Sequence, residues 1–557
     1  MSLFAPSLPW RQWCVALTWL ALGAPAAAAP PTQPLRWPQK SAAKVKATAK
    51  AALPAPVALA LAQAHVPANA LSVMIARLPE GAGPVSSAAR LQHQAQDSVN
   101  PASVMKLITT YAGLSLLGPD FTWRNRVYVQ GTVSQGVLQG DLIVRGSGDP
   151  KLVVERLQAL IAQIQAAGVR EVRGDIVLDR SVFDIQPREP GSFDDDPLRP
   201  YNATPDGLLV NFKSLIYSFT PDPPAGVARI AVEPPLAGLS VPANVPLSTG
   251  PCNDWRSSLR GQFDSPTQVV FAGSFSASCG PKTWPVAYAA PTQFASRVFQ
   301  AMWLAAGGRV TGSVREGATP ASARLLIDAP SLPLSDIVAD INKFSNNVMA
   351  QQLFLSLSSH DNPPARFEAS RQRLLQWWQD NLQGQTPPVL ENGSGLSRHE
   401  RSSAAALTRL LQLAATGPHA QVFQNSLGVA GVDGTVARLK ERNPQAAAIG
   451  QAWLKTGTLR DVISLAGYVQ GDSGQRYTLV AIVNHPNANA ARPALDHLLE
   501  WTVHDRKSDR LPDRKTGRTE LAIIEGFVWH SDFERSQRPR KFDRFGHRQR
   551  KGSSVRS

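Results

Sequence analysis

Three short polar segments, far apart in the chain, constrain this fold more than any other feature of its sequence. The first is Ser103-Val104-Met105-Lys106, which places a hydroxyl and an amine three residues apart at the predicted start of a helix. Positions i and i+3 share one face of a helix, so we expect the Lys106 amine beside the Ser103 hydroxyl. A serine becomes an effective nucleophile when a neighbouring base takes its proton. Taken alone, the pattern is more often a solvated helix start than a site.

The second segment places Ser345 and Asn347 two residues apart, in a predicted loop just before a helix. The Ser345 hydroxyl could relay a proton there, and the Asn347 amide could hold a substrate peptide bond. A serine in this position is more commonly a helix N-cap, because its side chain then accepts a bond from a free backbone N–H. Both interpretations stay open at the level of the sequence.

The third segment is Lys455-Thr456-Gly457-Thr458, at the apolar start of a predicted strand. Lys455 suits an anionic substrate end, and Gly457 would let a substrate backbone approach closely. The alternative is a strand that ends at an ordinary turn. Each segment is a weak signal by itself. In this order, however, Ser-x-x-Lys, Ser-x-Asn and Lys-Thr-Gly form the signature of penicillin-binding proteins and serine β-lactamases.

The chain resembles the class C low-molecular-mass penicillin-binding proteins, which are D-alanyl-D-alanine carboxypeptidases and endopeptidases of the S13 peptidase type, from about 53 to 501. Further matching stretches are Arg145-Gly-Ser-Gly-Asp-Pro-Lys151, Leu178-Asp-Arg-Ser-Val-Phe183, Asn392-Gly-Ser-Gly-Leu-Ser397 and Gly431-Val-Asp-Gly-Thr435. The resemblance implies an α/β (α+β) fold, with helices on an antiparallel sheet as in serine β-lactamases and DD-peptidases. It also implies two inserted β-rich domains, nested one within the other.

The spacing of the segments agrees with an insertion. Lys106 and Ser345 are 239 positions apart, far more than a compact β-lactamase needs, and 126–330 has a strand-rich pattern. The predicted organisation is a signal peptide at 1–29, a basic Pro/Ala linker at 30–52, a peptidase core at 53–125 and 331–504, an inserted domain at 126–200 and 291–330, a nested domain at 201–290, and a basic, disordered tail at 505–557.

The first 29 residues predict export. Arg11 precedes a short apolar run at 13–22, and small residues at 26–29 offer a cleavage site. We therefore expect a periplasmic protein. Outside this segment only Cys252 and Cys279 remain, and an oxidising compartment favours a disulfide between them over two buried free thiols.

The resemblance also implies a role for each residue of the three segments. Ser103 would attack the carbonyl between two D-alanines, after Lys106, as a neutral amine, has taken its proton. Ser345 would relay a proton to the leaving amine, and Asn347 would contact a substrate amide. Lys455 and Thr456 would contact the terminal carboxylate of the substrate, and Gly457 would let the substrate backbone approach closely. The backbone N–H groups of Ser103 and Thr458 would form an oxyanion hole. Water would then release the acyl-enzyme.

Expected partners are peptidoglycan stem peptides and β-lactam antibiotics, and neither a metal nor a cofactor is predicted. The net charge of +15 is concentrated in the basic ends. These ends are candidates for contact with the wall or a membrane surface, or are simply solvated, and an exported protein is not expected to bind nucleic acid.

Two alternative functions remain. The first is a serine β-lactamase, for which no deacylating glutamate is found between the first two segments. The second is an inactive peptidoglycan-binding protein, against which the three intact segments argue.

Overall fold

The computed structural model describes residues 52–78, 89–186, 188–359 and 364–505. The signal peptide predicted at 1–29, nearly all of the linker and nearly all of the tail lie outside these residues. The described part contains α-helices α1–α12 and strands β1–β20, numbered in chain order. The helices are Ala55–Gln63, Lys106–Leu117, Val154–Ala166, Trp255–Leu259, Phe294–Ala305, Leu334–Phe344, Asn347–Ser359, Phe367–Asn381, Ala404–Thr416, Ala420–Ser426, Arg438–Arg442 and Arg492–Val503. None of the helices in these ranges has the length and apolar character needed to span a bilayer.

The strands fall into four sheets. Their bounds are Leu71–Arg77, Ala89–His93, Arg124–Ser134, Val137–Arg145, Glu171–Val172, Ile176–Asp179, Ser214–Asp222, Val227–Glu233, Asn244–Ser248, Gly261–Gln262, Val270–Phe271, Phe275–Ser276, Lys282–Ala287, Arg309–Val310, Val314–Glu316, Arg324–Pro330, Gly428–Val429, Ala452–Leu459, Val462–Gln470 and Arg476–Asn484. The sheet that matters most for the three polar segments has the order β17-β18-β19-β20-β1-β2, and all its neighbouring pairs are antiparallel.

Helices cover both faces of this six-stranded sheet. Side chains alternate between the two faces of a strand, and β20 follows that rule with apolar residues from Leu479 to Val483. Leu479 and Val483 pack in one cluster with α1 and α12, whereas Val480 and Ile482 pack in another with α2 and α9. Each such side chain contributes roughly 1.5–3 kcal/mol when fully buried. The predicted architecture of helices on an antiparallel sheet is confirmed.

The six-stranded sheet brings together the N-terminal and C-terminal parts of the predicted peptidase core. Strand β1 pairs with β20 along its whole length, for example through Ile75 and Leu479. The Ser464 hydroxyl on β19 donates a 2.7 Å hydrogen bond to the carbonyl of Pro101. The segment that carries Ser103 is therefore held against the sheet that carries Lys455.

The chain between these parts forms the other sheets. A seven-stranded sheet is built from β3, β4, β5, β6, β14, β15 and β16, and a five-stranded sheet has the order β12-β9-β8-β7-β13. The second set of strands lies in sequence within the first, which confirms the strand-rich, nested pattern. Cys252 and Cys279 are joined by a disulfide in this inner region. The division into domains at the stated boundaries stays a prediction.

Candidate active site

Ser103 and Lys106 lie on one short turn. Ala102–Met105 forms a 3-10 turn, and α2 begins at Lys106. The side-chain oxygen of Asn100 accepts a 2.8 Å hydrogen bond from the N–H of Ala102 and anchors the start of the turn. Residues i and i+3 eclipse each other in a 3-10 helix. The Lys106 amine accordingly lies 2.9 Å from the Ser103 hydroxyl oxygen, as the spacing predicted.

The Lys106 amine is fully buried and has three polar partners. It contacts the Ser103 hydroxyl, the Asn347 side-chain oxygen at 2.6 Å and the carbonyl of Ser394 at 2.5 Å. Burial lowers the pKa of Lys106 from 10.5 to about 7, and the negative charge of Glu400 opposes this shift. A neutral amine keeps two N–H groups for Asn347 and Ser394 and turns its lone pair to Ser103. The geometry therefore suits a general base.

Ser345 is not a helix N-cap. It follows the last residue of α6 in a left-handed conformation, with φ of +59°. The side-chain oxygen of Asn346 instead accepts the 3.1 Å bond from the N–H of Met349 in the first turn of α7. The Ser345 hydroxyl is thereby left to accept a 2.8 Å hydrogen bond from the amine of Lys455. Of the two interpretations open from the sequence, the capping one is wrong.

Lys455 repeats the Ser–Lys arrangement on the other side of the site. Its amine is fully buried and also donates a 2.7 Å bond to the carbonyl of Thr456. Burial lowers the pKa of Lys455 well below its ordinary value, and the nearby Lys106 lowers it further. The site thus holds two buried amines, each in contact with a different serine.

Gly457 lets β18 approach the nucleophile turn. A Cβ atom on Gly457 would lie 2.9 Å from the N–H nitrogen of Ser103 and 2.3 Å from the Ser464 hydroxyl. The close approach that we expected Gly457 to allow for a substrate is thus already used by the protein itself. The Thr456 side chain lies on the opposite face of the strand, where its hydroxyl is 2.7 Å from that of Thr435.

An open cleft of about 500 Å³ gives access to this centre. Ser103, Ser345, Asn347 and Thr458 line it, while Lys106, Lys455 and Gly457 are buried behind them. The remaining lining residues are Phe193, Asp194, Asp196, Tyr201, Gly395, Leu396, Arg398, Leu459 and Arg460. The fold thus brings all three segments to one place, although the Thr456 side chain does not line the cleft.

Several contacts at this centre were not predicted from the sequence. The carbonyl of Tyr201, from the inserted part, accepts a 3.1 Å bond from the Asn347 amide. Ser394 belongs to a stretch that carried the resemblance, but nothing local showed that its carbonyl binds Lys106. Glu400 stands between His399 and Arg401 and looks like part of a solvated charged run. Within the described ranges, no cluster of three or more His, Cys, Asp or Glu side chains is placed to hold a metal ion.

A serine paired with a buried lysine, beside a helix-covered antiparallel sheet, defines the class of serine peptidases that use lysine as the base. The D-Ala-D-Ala carboxypeptidase 3 (S13) family matches residues 55–503. The chain belongs to this family.

Individual relatives agree with that assignment. A D-alanyl-D-alanine carboxypeptidase of Actinomadura sp. (strain R39) is 30% identical over 438 residues, which cover 74% of this chain and 78% of the relative. The D-alanyl-D-alanine carboxypeptidase DacB of Haemophilus influenzae is 25% identical over 69% of this chain and 80% of its own. The crystal structure of penicillin-binding protein 4 (dacB) from Haemophilus influenzae matches with a TM-score of 0.62 at 22% identity, over 77% of this chain and 96% of that one. This likeness establishes the fold, including the additional β-rich parts.

Proposed function

We propose that this enzyme cleaves D-Ala-D-Ala termini and D-Ala cross-links of peptidoglycan through an acyl-enzyme on Ser103. One observation carries the proposal: the Lys106 amine lies 2.9 Å from the Ser103 hydroxyl, and burial brings its pKa to about 7. An amine with that pKa is largely neutral just above neutral pH and accepts a proton there. Membership of the S13 family and the carboxypeptidase names of the relatives support the substrate class.

In the acylation step the Ser103 proton passes to Lys106 while the serine oxygen bonds to the carbonyl carbon between the two D-alanines. The negative charge that develops on the carbonyl oxygen needs donors already in place. The backbone N–H groups of Ser103 and Thr458 are the proposed pair, because Gly457 lets β18 run directly against Ser103. Losing one such donor typically costs roughly 3 kcal/mol of transition-state stabilisation.

The second Ser–Lys pair is proposed to complete the reaction. As the C–N bond breaks, Ser345 would relay the proton taken by Lys106 to the leaving amine, and the 2.8 Å contact with Lys455 would tune that transfer. Asn347 contacts Lys106 and Tyr201, and its further role as a substrate amide contact stays a prediction. Lys455 and Thr456 are proposed to stabilise the terminal carboxylate from behind the cleft, which Thr458 lines. Water then hydrolyses the ester and frees Ser103.

The finer assignments rest on the same proposal. A β-lactam would acylate Ser103 and leave slowly, and a complex of the Haemophilus influenzae penicillin-binding protein 4 with a β-lactam is consistent with that. Segments 126–200 with 291–330 and 201–290 are proposed as the two inserted domains. We propose a periplasmic location, with peptidoglycan stem peptides as the physiological partners and the basic ends in contact with the wall or membrane surface.

The test is digestion of purified peptidoglycan fragments with wild-type protein and with Ser103→Ala. Wild type should release D-alanine and split cross-linked dimers, Ser103→Ala should do neither, and Ser278→Ala, an exposed hydroxyl in the nested region, should match wild type. Fluorescent penicillin should label wild type stably. Rapid nitrocefin turnover would favour the serine β-lactamase alternative, and absence of both labelling and digestion would favour the inactive wall-binding protein.

A further inference from the structure

Glu400 is a buried carboxylate that the proposed mechanism leaves without a role. Its side chain is 0% exposed. One oxygen accepts hydrogen bonds from the N–H groups of Glu391, Asn392 and Gly393 at 3.0, 2.9 and 2.6 Å, and the other accepts from Gly395 at 2.8 Å. Burial raises the pKa of Glu400, and the four backbone N–H donors oppose that shift because they bind the ionised carboxylate. Burying a charge in this way is costly unless it is used or fully compensated.

The turn that Glu400 holds is the turn that contacts the nucleophile. Between Gly393 and Gly395 lies Ser394, whose carbonyl accepts the 2.5 Å bond from Lys106. Gly395 packs directly on the backbone before Lys106, since a Cβ there would lie 2.0 Å from the carbonyl of Ala102 and 2.8 Å from the nitrogen of Ser103. Glu400 therefore holds the N–H groups of Gly393 and Gly395, on either side of the Ser394 carbonyl that binds Lys106.

The negative charge of Glu400 also acts directly on the Lys106 amine. Among the described residues, the charged groups that bear on Lys106 are Lys455 from β18 and Glu400 from the loop before α9. The other partners of Lys106 are neutral, and Glu391 in the same loop is bonded to the Ser397 hydroxyl. The negative charge of Glu400 raises the pKa of Lys106 against the effect of burial. Without Glu400, the Lys106 amine would become a weaker base.

We propose that Glu400 is a positioning residue for Lys106, which both fixes the Gly393–Gly395 turn that binds the amine and sets the pH range in which the amine acts as the base. The inference rests on the proposed function, because it assumes that Lys106 deprotonates Ser103. A general base is most effective when its proton affinity matches the working pH. Glu400 keeps the Lys106 amine in that range although the amine is completely buried.

The experiment measures the rate of acylation by fluorescent penicillin from pH 5 to pH 9 in the full-length protein. Glu400→Gln removes the charge and should move the midpoint of the acidic limb down by about one pH unit, the size of effect a nearby buried charge typically exerts. Glu400→Asp keeps the charge but shortens the side chain, so it should lower the rate and leave the midpoint in place. The matched control is Glu500→Gln, whose carboxylate also accepts two backbone N–H groups, from Ala447 and Ala448, away from this site.

Each outcome has one meaning. A midpoint in Glu400→Gln equal to that of wild type, or an equal shift in Glu400→Asp, overturns the inference. If Glu400→Gln does not fold, Glu400→Asn is compared with Glu400→Asp, since these two differ essentially in charge. Failure of wild type itself to take up penicillin contradicts the proposed function, whereas a labelled wild type with an unmoved Glu400→Gln midpoint contradicts only the role of Glu400.

Discussion

Replacing Gly457 by alanine places one methyl group where the structure has no room. The new Cβ would lie 2.3 Å from the Ser464 hydroxyl, 2.8 Å from the carbonyl of Pro101 and 2.9 Å from the nitrogen of Ser103. Real Cβ atoms do not come this close, and two of the three neighbours are backbone atoms that cannot rotate away. Strand β18 must therefore move off the Ser103 turn by a substantial part of an ångström.

That movement separates the two proposed oxyanion donors, Ser103 and Thr458, and shifts Lys455 relative to Ser345. A displacement of about 1 Å in a catalytic arrangement can cost about 100-fold in rate. Overpacking of this kind also typically costs about 1–3 kcal/mol of unfolding free energy. We expect Gly457→Ala to stay folded, to melt at a lower temperature, and to be acylated by fluorescent penicillin about 100-fold more slowly.

The control is Gly113→Ala, on the helix that begins at Lys106. The three atoms nearest to its Cβ would all belong to the side chain of Leu353, at 3.1–3.4 Å, and that side chain can adjust. Gly113→Ala should therefore be acylated at the wild-type rate. The reasoning would be refuted if Gly457→Ala, folded by thermal unfolding, were acylated within a few-fold of wild type.

Three further predictions follow from the same contacts. Because the proposed base Lys106 must be neutral to take a proton and its pKa is about 7, the wild-type acylation rate should rise about tenfold from pH 6 to pH 8; a flat profile in stopped-flow labelling would contradict this. Thr435→Val removes the hydroxyl 2.7 Å from that of Thr456, and the loss of one hydrogen bond should lower the unfolding free energy by about 0.5–1.5 kcal/mol, as measured by urea denaturation. Thr435→Ser should restore that stability, and an unfolding free energy of Thr435→Val equal to that of wild type would contradict this. Replacing Cys252 and Cys279 by serine should lower the unfolding free energy by about 3–4 kcal/mol, from the loop that the disulfide closes, as measured by urea denaturation with reduced wild type as the comparison.

The sequence by itself predicted the proposed Ser–Lys chemistry and determined its local geometry. The i to i+3 spacing of Ser103 and Lys106 led directly to a 2.9 Å contact, because neighbours on one helical turn need no help from the rest of the chain. The assignment of successive β20 side chains to opposite faces of the sheet likewise follows from the period of a strand. The order of the three polar segments and the strand-rich insertion were equally visible, and the resemblance built on them agrees with the family.

Only the tertiary structure decided which atoms meet across long separations. Asn346 takes the capping position and leaves Ser345 to Lys455, a choice that depends on the left-handed turn between two helices. The missing side chain of Gly457 makes room for the backbone of Ser103, which lies some 350 positions earlier in the chain. The sequence had suggested that this room serves a substrate. Glu400 gave no local signal, because a charged residue between His399 and Arg401 is indistinguishable from a solvated one until the fold buries it. Burial, charge balance and close backbone approach are properties of the packed molecule, and for that reason no local pattern in the sequence encodes them.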